Sequence, residues 1–205
     1  MNSFSKINLL DLSEMIGRAH IDRIISDFSC PLNPEVEKFF RFKALEFSTQ
    51  RLASTYAVFA ANEEQLALAG YFALSHNYFL MDAQKLNDMS KRLAKRISKF
   101  TKHNRELNRY AFSAPLIGQL GKNYADSCDT LITGNELLKI ACDTVDQALK
   151  IIGGKMVCLE CEDKPVLVDF YRENGFQIFN RRKLESDEKD KMSGEYLLQM
   201  LKYLV

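Results

Sequence analysis

The sequence has no excess of charge and no long apolar run, and each absence excludes a class of protein. Its 28 Lys and Arg residues against 27 Asp and Glu residues give a formal net charge of +1. No field of the whole molecule therefore draws it to nucleic acid or to a membrane surface, and any such attraction must be local. No apolar run approaches the roughly 20 residues of a membrane-spanning helix, the nearest being 196–205. We expect no membrane partner.

Cysteines are few and unevenly spread. There are five, an odd number, and the amino terminus lacks the basic, apolar and small-residue succession of a signal peptide. We therefore expect a cytoplasmic protein. Cys158 and Cys161 have the spacing of half a zinc site, but no second Cys or His pair follows. On a strand they would face opposite sides, so we expect buried structural thiols and no metal site.

The composition is that of a folded protein with a core of its own. Hydrophobic residues make up 46% and charged residues 27% of the 205 residues, which argues against disorder. This length favours one domain over 1–205, and the sequence has no internal repeat.

The spacing of apolar residues predicts an alternation of helices and strands. The predicted helices cover 14–25, a stretch from Glu35, 137–152 and the residues just before Gly175. The predicted strands cover 55–60, 66–80, 110–121, 156–161, 176–179 and 196–204, with a polar turn at 62–65 and a charged connection over 181–193. This order predicts an α/β (α+β) fold with a mixed, mostly antiparallel central sheet and helices on both faces.

The segment from Ala83 to Arg109 is the basic part of the protein. It contains nine Lys or Arg residues against Asp88 and Glu106. These cations could clamp a nucleic-acid backbone, because each neutralised phosphate releases counterions. Alternatively the segment is a solvated helix over the core, because Leu86, Met89, Leu93, Ile97 and Phe100 recur at three- or four-residue spacing. We expect a basic helical insertion at about 83–109.

The stretch 168–176, Val-Asp-Phe-Tyr-Arg-Glu-Asn-Gly-Phe, predicts a short helix that stops on a glycine and turns into an apolar strand. Together with Leu-Ile-Gly-Gln-Leu-Gly at 116–121 and Val-Cys-Leu-Glu at 157–160, it resembles the GNAT superfamily of acyl-CoA-dependent N-acetyltransferases. The first half, with Asp-Phe-Ser-Cys at 27–30 and Ser-Thr-Tyr-Ala-Val at 54–58, is similar to the GNAT branch of toxins that acetylate aminoacyl-tRNA. The resemblance implies a GNAT-like fold with acetyl-CoA as co-substrate.

The resemblance also implies where acetyl-CoA binds. Gln119, Leu120 and Gly121 would hold the pantetheine arm through the strand backbone. The loop and helix start at Leu131, Ile132, Thr133, Gly134 and Asn135 would hold the pyrophosphate, because a helix amino terminus offers unpaired N–H groups. The family's glycine motif aligns with 129–134, where only Gly134 survives and Asp129 stands in place of a polar or basic residue. Either the backbone cradle persists, or the helix start is capped and does no more.

Tyr171 and Glu160 are the candidate catalytic residues. By resemblance, Tyr171 would be the general acid that protonates the departing thiolate, a task that a phenol can perform. Its alternative is a tyrosine packed in the core. Glu160 lies on the preceding strand between apolar residues, where its pKa would be raised and it could act as general base. A chain of water molecules, with no dedicated base, is an equal alternative.

We therefore predict an acetyl-CoA-dependent N-acetyltransferase that acts by direct attack of a primary amine in a ternary complex. The acceptor is open: an aminoacyl-tRNA held partly by the basic segment, a small amine, or a protein amino group. A non-catalytic, CoA-binding protein of the same fold is the second hypothesis, prompted by the eroded glycine motif. The sequence also leaves open whether the chain forms a homodimer.

Overall fold

The computed structural model describes residues 4–62, 65–186, 188 and 194–204. The described strands are β1 (Phe4–Asn8), β2 (Ser54–Asn62), β3 (Gln65–Asp82), β4 (Lys102–Asn104), β5 (Arg109–Lys122), β6 (Met156–Glu162), β7 (Gln177–Lys183) and β8 (Tyr196–Tyr203). The described α-helices are α1 (Leu9–Ile16), α2 (Arg18–Ser26), α3 (Pro34–Phe42), α4 (Ala44–Thr49), α5 (Ala83–Asn87), α6 (Lys91–Ile97), α7 (Gly134–Ile152) and α8 (Pro165–Glu173). Two 3-10 helices cover Ser98–Phe100 and Ala125–Thr130. Parts of the expected β2–β3 turn and of the charged connection, at 63–64, 187 and 189–193, lie outside the described residues.

The strands form one sheet in the order β1-β2-β3-β5-β6-β8-β7, and β4 pairs with β5 beside this path. The pairs β1–β2, β2–β3, β4–β5, β6–β8 and β7–β8 are antiparallel. The predicted α/β fold with a mixed, mostly antiparallel sheet is confirmed. No helix in the described part of the chain is long and apolar enough to cross a membrane.

The chain divides into two compact units. The first comprises residues 1–75 and 117–143, and the second comprises 76–116 and 144–205. Strands β3 and β5 each contribute residues to both units. The single domain expected over 1–205 stays a prediction.

The first unit is built around a buried tyrosine. Tyr71 on β3 is fully buried, and its hydroxyl donates a hydrogen bond of 2.6 Å to the Val36 carbonyl oxygen of α3. Its ring stacks on Phe40 with centroids 4.3 Å apart. The helix predicted over 14–25 is instead α1 and α2, because Gly17 has a φ of 78° that only glycine adopts without strain. Burial of these aromatic rings fixes α3 against β3.

In the second unit, the basic insertion is helical only in its first part. Leu86 of α5 and Ile97 of α6 are buried in a core with Phe112. After Phe100 the chain forms β4, so the expected helix over all of 83–109 is wrong for its last third. The reason is local pairing: His103 lies opposite Tyr110 on β5 and stacks on it at 4.7 Å between centroids.

Candidate functional site

Tyr171 lies on the last turn of α8, where the sequence placed it. Pro165 occupies the first turn of this helix, a position that needs no N–H. The helix ends at Gly175, whose φ is 84°. The Phe176 N–H donates to the Tyr171 carbonyl at 3.0 Å and the Gly175 N–H donates to the Arg172 carbonyl at 2.9 Å. This pair of bonds is a Schellman motif, which satisfies the last carbonyls and fixes the position of Tyr171.

The side chain of Tyr171 is partly buried among aromatic rings. Its ring centroid lies 5.0 Å from that of Phe170 and 5.9 Å from that of Phe176. Burial, and secondarily the nearby Cys161 thiol, raises the pKa of the Tyr171 phenol. No described residue forms a hydrogen bond with its hydroxyl. The phenol therefore stays protonated through neutral and moderately alkaline pH, and its O–H is available to another acceptor.

Glu160 is not in the apolar surroundings that the sequence predicted. Its carboxylate accepts hydrogen bonds from Arg182 Nε at 3.0 and 3.1 Å and from Arg182 Nη2 at 2.7 Å. Gln199, directly opposite on β8, donates a further bond of 2.7 Å. The apolar environment predicted for Glu160 is therefore wrong, whereas its role as general base stays a prediction. Arg182 also binds Glu188 at 2.8 Å.

The Glu160 side chain points to one face of β6, and Tyr171 of α8 lies on the other face. Strand alternation puts Glu160 on the same face as Cys158, which belongs to the core cluster that also contains Leu86 and Ile97. Cys161 points to the other face, and its thiol is near enough to the Tyr171 phenol to contribute, after burial, to the raised pKa of that phenol. This arrangement places helices on both faces of β6, as predicted. It does not bring the expected acid and base together.

The start of α7 is closed by its own side chains. The Thr133 hydroxyl accepts the Glu136 N–H at 3.2 Å. The Glu136 carboxylate in turn accepts the Thr133 N–H and the Thr133 hydroxyl, both at 2.8 Å. These bonds lower the pKa of Glu136, the Thr133 N–H contributing most. This is a capping box, which satisfies two of the helix's free N–H groups and places a carboxylate where an anion would otherwise bind.

The residues at 131–135, which were expected to hold the pyrophosphate, differ in solvent exposure. Ile132 is buried, whereas Thr133 and Asn135 are exposed, and Leu131 and Gly134 lie between these extremes. This exposed helix start could still meet a ligand, provided that the capping carboxylate moves or is neutralised.

The three strand residues 119–121 differ from one another. Gln119 and Leu120 are half-buried, and Gln119 Oε1 is buried and accepts no hydrogen bond from any residue that the structure describes. Gly121 is buried because α3 packs on it: a Cβ there would overlap Val36 Cγ1 and come within 3.2 Å of Tyr71. The expected role of Gly121 in binding the cofactor stays a prediction, and packing alone explains its lack of a side chain.

Asn123 is a structural residue that sequence reasoning missed. Its side chain accepts hydrogen bonds from the Ser29 and Ala125 N–H groups at 3.0 and 3.1 Å, and it donates to the Leu68 carbonyl at 2.9 Å. The buried amide thereby joins the end of β5 to β3 and to the loop before α3. No local pattern reveals such a role, whereas the Thr133–Glu136 spacing of the capping box is readable from sequence.

The basic insertion has one apolar and one charged face. Leu86 and Ile97 are buried, and Met89 and Leu93 pack against the same core, as the covering-helix alternative predicts for these four residues. Phe100, the fifth residue of that pattern, is exposed. Its exposed cations are Lys85, Lys91, Arg92, Lys95, Lys99, Lys102, Arg105 and Arg109. Covering a core leaves these side chains open to solvent, and the prediction of nucleic-acid contact stays untested.

The two cysteines on β6 are buried, as expected. Burial raises the pKa of Cys158 well above its usual value and raises the pKa of Cys161 to about 11. Both are therefore protonated thiols near neutral pH, which is the state of an inert structural cysteine.

No family model matches the sequence, and no curated protein matches it. Solved structures do match its fold. AtaT complexed with acetyl-methionyl-tRNAfMet is 16% identical, over 96% of this chain and 94% of that chain, with a TM-score of 0.61. A tyrosine-to-phenylalanine mutant of KacT is 16% identical over 96% and 93%, with a TM-score of 0.60. AtaTR bound with AcCoA is 15% identical over 96% and 91%, with a TM-score of 0.54.

AtaT and KacT are toxin acetyltransferases of the GNAT type. The GNAT-like fold expected from the sequence, and its likeness to the toxin branch, are confirmed. At these identities the likeness concerns the fold.

Proposed function

We propose that this chain is an acetyl-CoA-dependent N-acetyltransferase that transfers an acetyl group to a primary amine by direct attack. The observation that carries the proposal is the match in fold to AtaT and KacT over nearly the whole chain. One of these neighbours is described as bound with AcCoA. Acetyl-CoA would supply the acetyl group as an activated thioester.

Tyr171 is the residue proposed to assist departure of the sulfur. Its raised pKa makes it a reluctant acid, so a hydrogen bond to the developing thiolate suits it better than complete proton transfer. The rings of Phe170 and Phe176 hold the phenol in place.

Removal of the proton from the amine is assigned to water. Glu160 was the expected base, but Arg182 and Gln199 occupy its oxygen atoms. An amine that enters the reaction uncharged needs to lose a proton only after attack, and a chain of water molecules can accept it. Glu160 is better explained as the anchor of a polar network across β6, β7 and β8.

For coenzyme binding, we propose the backbone of Gln119 and Leu120 for the pantetheine arm and residues 131–135 for the pyrophosphate. The exposed start of α7 supports the second assignment, because its dipole favours an anion. The Thr133–Glu136 capping box opposes it. Coenzyme binding there therefore works against the negative charge of Glu136.

The acceptor proposed first is the amino group of an aminoacyl-tRNA. Two observations favour it: a structural neighbour is described as complexed with acetyl-methionyl-tRNAfMet, and the basic insertion exposes a row of cations that could neutralise phosphates. A small amine or a protein amino group is the alternative. The cytoplasmic location and the oligomeric state stay predictions.

A non-catalytic, coenzyme-binding protein is the second candidate function. The specific observation in its favour is that the capping box satisfies the α7 start without a ligand. A chain that had lost turnover would keep its fold and such a cap.

The test is acetyl transfer from radiolabelled acetyl-CoA to a panel of aminoacyl-tRNAs, small amines and peptides. We expect Tyr171→Phe to lower the rate by about a hundredfold or more while coenzyme affinity stays unchanged. Tyr196→Phe makes the same chemical change at an exposed tyrosine and should have no effect. Binding of coenzyme without transfer to any acceptor would favour the second candidate.

A further inference from the structure

A cavity of about 830 Å³ in the second unit lies along β7, and neither Tyr171 nor Glu160 lines it. Its walls are the six consecutive residues 176–181 together with Asp82, Lys85 and Arg172. A cavity on one face of a strand is lined by alternate residues, because successive side chains point to opposite faces. The consecutive lining, together with the place of β7 at the end of the sheet, indicates that this cavity follows the edge of the strand.

β7 is the last strand of the sheet and, in the described part of the chain, pairs only with β8. No described strand pairs with its outer row of N–H and carbonyl groups, although the Asn180 side chain donates to the Leu80 carbonyl of β3 at 3.0 Å. The register shifts between Ile178 and Asn180, which leaves Phe179 as the extra residue of a bulge, at the middle of the cavity wall. Bulges re-aim main-chain groups at sheet edges and next to binding sites.

The lining carries more positive than negative charge. Lys85, Arg172 and Arg181 stand against Asp82 alone, and Asp82 is bound by Arg109 at 2.8 Å. Arg181 has an ion pair with Asp163 at 3.4 Å, and Lys85 has one with Asp88 at 3.9 Å. Both pairs join exposed side chains and contribute little. Arg172 forms no ion pair with any residue that the structure describes. The edge therefore attracts a partner that carries negative charge.

We propose that the outer edge of β7 binds an extended, acidic polypeptide segment as an added strand. Main-chain hydrogen bonds to the edge would provide affinity for any extended peptide. Carboxylates that reach Lys85, Arg172 and Arg181 would make the site selective for acidic peptides. A second copy of this chain is a poorer occupant, because its own cations would lie opposite these cations and the like charges would repel each other. A nucleic acid has the charge but no peptide main chain to pair with the edge. This site is independent of the transferase chemistry proposed above.

The test uses a fluorescein-labelled peptide of about nine residues, a strand length common in sheets, in which Glu and Val alternate. Its binding to the full chain is followed by anisotropy. Two control peptides separate charge from pairing: one has Lys in place of Glu, and the other keeps Glu but carries N-methyl groups on its central amides. We expect both controls to bind at least about tenfold more weakly than the Glu–Val peptide.

A matched pair of protein variants locates the site. The double variant Arg172→Gln with Arg181→Gln should weaken binding by about tenfold or more. Arg92→Gln with Lys95→Gln removes the same charge from exposed positions outside the cavity and should change binding less than about twofold. Thermal unfolding checks that both variants are folded.

Three results would overturn the proposal. The first is binding of the N-methylated peptide as tight as that of the Glu–Val peptide, which would mean that charge alone, without strand pairing, accounts for binding. The second is an oligouridylate of the same charge that competes with the peptide at equal or higher affinity. The third is self-association of the chain that the peptide dissociates, which would assign the edge to a second copy.

Discussion

Replacing Glu136 by Gln is the change that most directly tests coenzyme binding at the start of α7. The Glu136 carboxylate holds the Thr133 N–H and hydroxyl at 2.8 Å. A Gln side chain at this position keeps an oxygen that can accept the Thr133 N–H, and it removes the negative charge. The capping box then survives in weaker form, and the charge no longer opposes an incoming phosphate.

The expected gain follows from Coulomb's law. At roughly 6 Å in water, two unit charges interact by about 0.7 kcal/mol. A pyrophosphate with roughly two negative charges would therefore be repelled by Glu136 by about 1.4 kcal/mol, which corresponds to about tenfold in Kd. We expect Glu136→Gln to bind coenzyme A about tenfold more tightly than the unchanged chain at low salt, and the difference to shrink at high salt.

Calorimetric titration with coenzyme A and with pantetheine separates this effect from a general one. Pantetheine lacks the pyrophosphate, so its affinity should be the same for both proteins. Glu14→Gln removes an exposed carboxylate on α1 and serves as the matched control, with no expected change for either ligand.

The outcome that refutes this reasoning is unchanged or weaker binding of coenzyme A by Glu136→Gln, or an equal gain for pantetheine. The acid dependence of stability gives a second measure. The folded pKa of Glu136 lies below its unfolded value of about 4.5, so its contribution is present above about pH 4.5 and is lost as the pH falls further. The Gln variant should lack this part of the acid transition.

Two further predictions concern the packing of the fold. Gly121→Ala should lower the free energy of unfolding by about 2 kcal/mol, measured by urea denaturation, because the added methyl group overlaps Val36; the loss should shrink in a Val36→Ala background, and an equal loss there would contradict it. Cys161, with a pKa raised to about 11 by burial, should resist iodoacetamide at about pH 8 in the folded chain and react once the chain is denatured. Fast alkylation of the folded chain would contradict the burial of the Cys161 thiol. Because the folded pKa of Cys161 exceeds its unfolded value of about 9, the free energy of unfolding should fall as the pH rises from about 9 to about 11.

The parts of the fold that were predicted correctly are those with short-range signals. The helix that carries Tyr171 is specified by Pro165 at its start and Gly175 at its end, and both act within a few residues. The basic insertion was predicted as helical to its end because its apolar spacing is helical to Phe100. Pairing of His103 with Tyr110 depends on two segments meeting, which periodicity cannot reveal.

The site was harder to predict for the same reason. Glu160 lies between apolar neighbours in sequence, and that neighbourhood suggested an apolar environment. Arg182 lies on β7 and Gln199 on β8, and the sheet order brings both to Glu160. Partners on neighbouring strands are not visible in the local sequence, so the ion-paired surroundings of Glu160 were not predicted.

The capping box bears on how a GNAT-like fold could keep its function without its usual glycine motif. A glycine-rich loop leaves N–H groups free for pyrophosphate at all times. Here Thr133 and Glu136 satisfy part of that helix start in the absence of ligand. A pyrophosphate bound there is repelled by the carboxylate, which costs affinity. If the chain acts on acetyl-CoA, the capping box makes it bind acetyl-CoA more weakly than a chain with the full glycine motif. The negative charge of Glu136 determines the size of this difference in affinity.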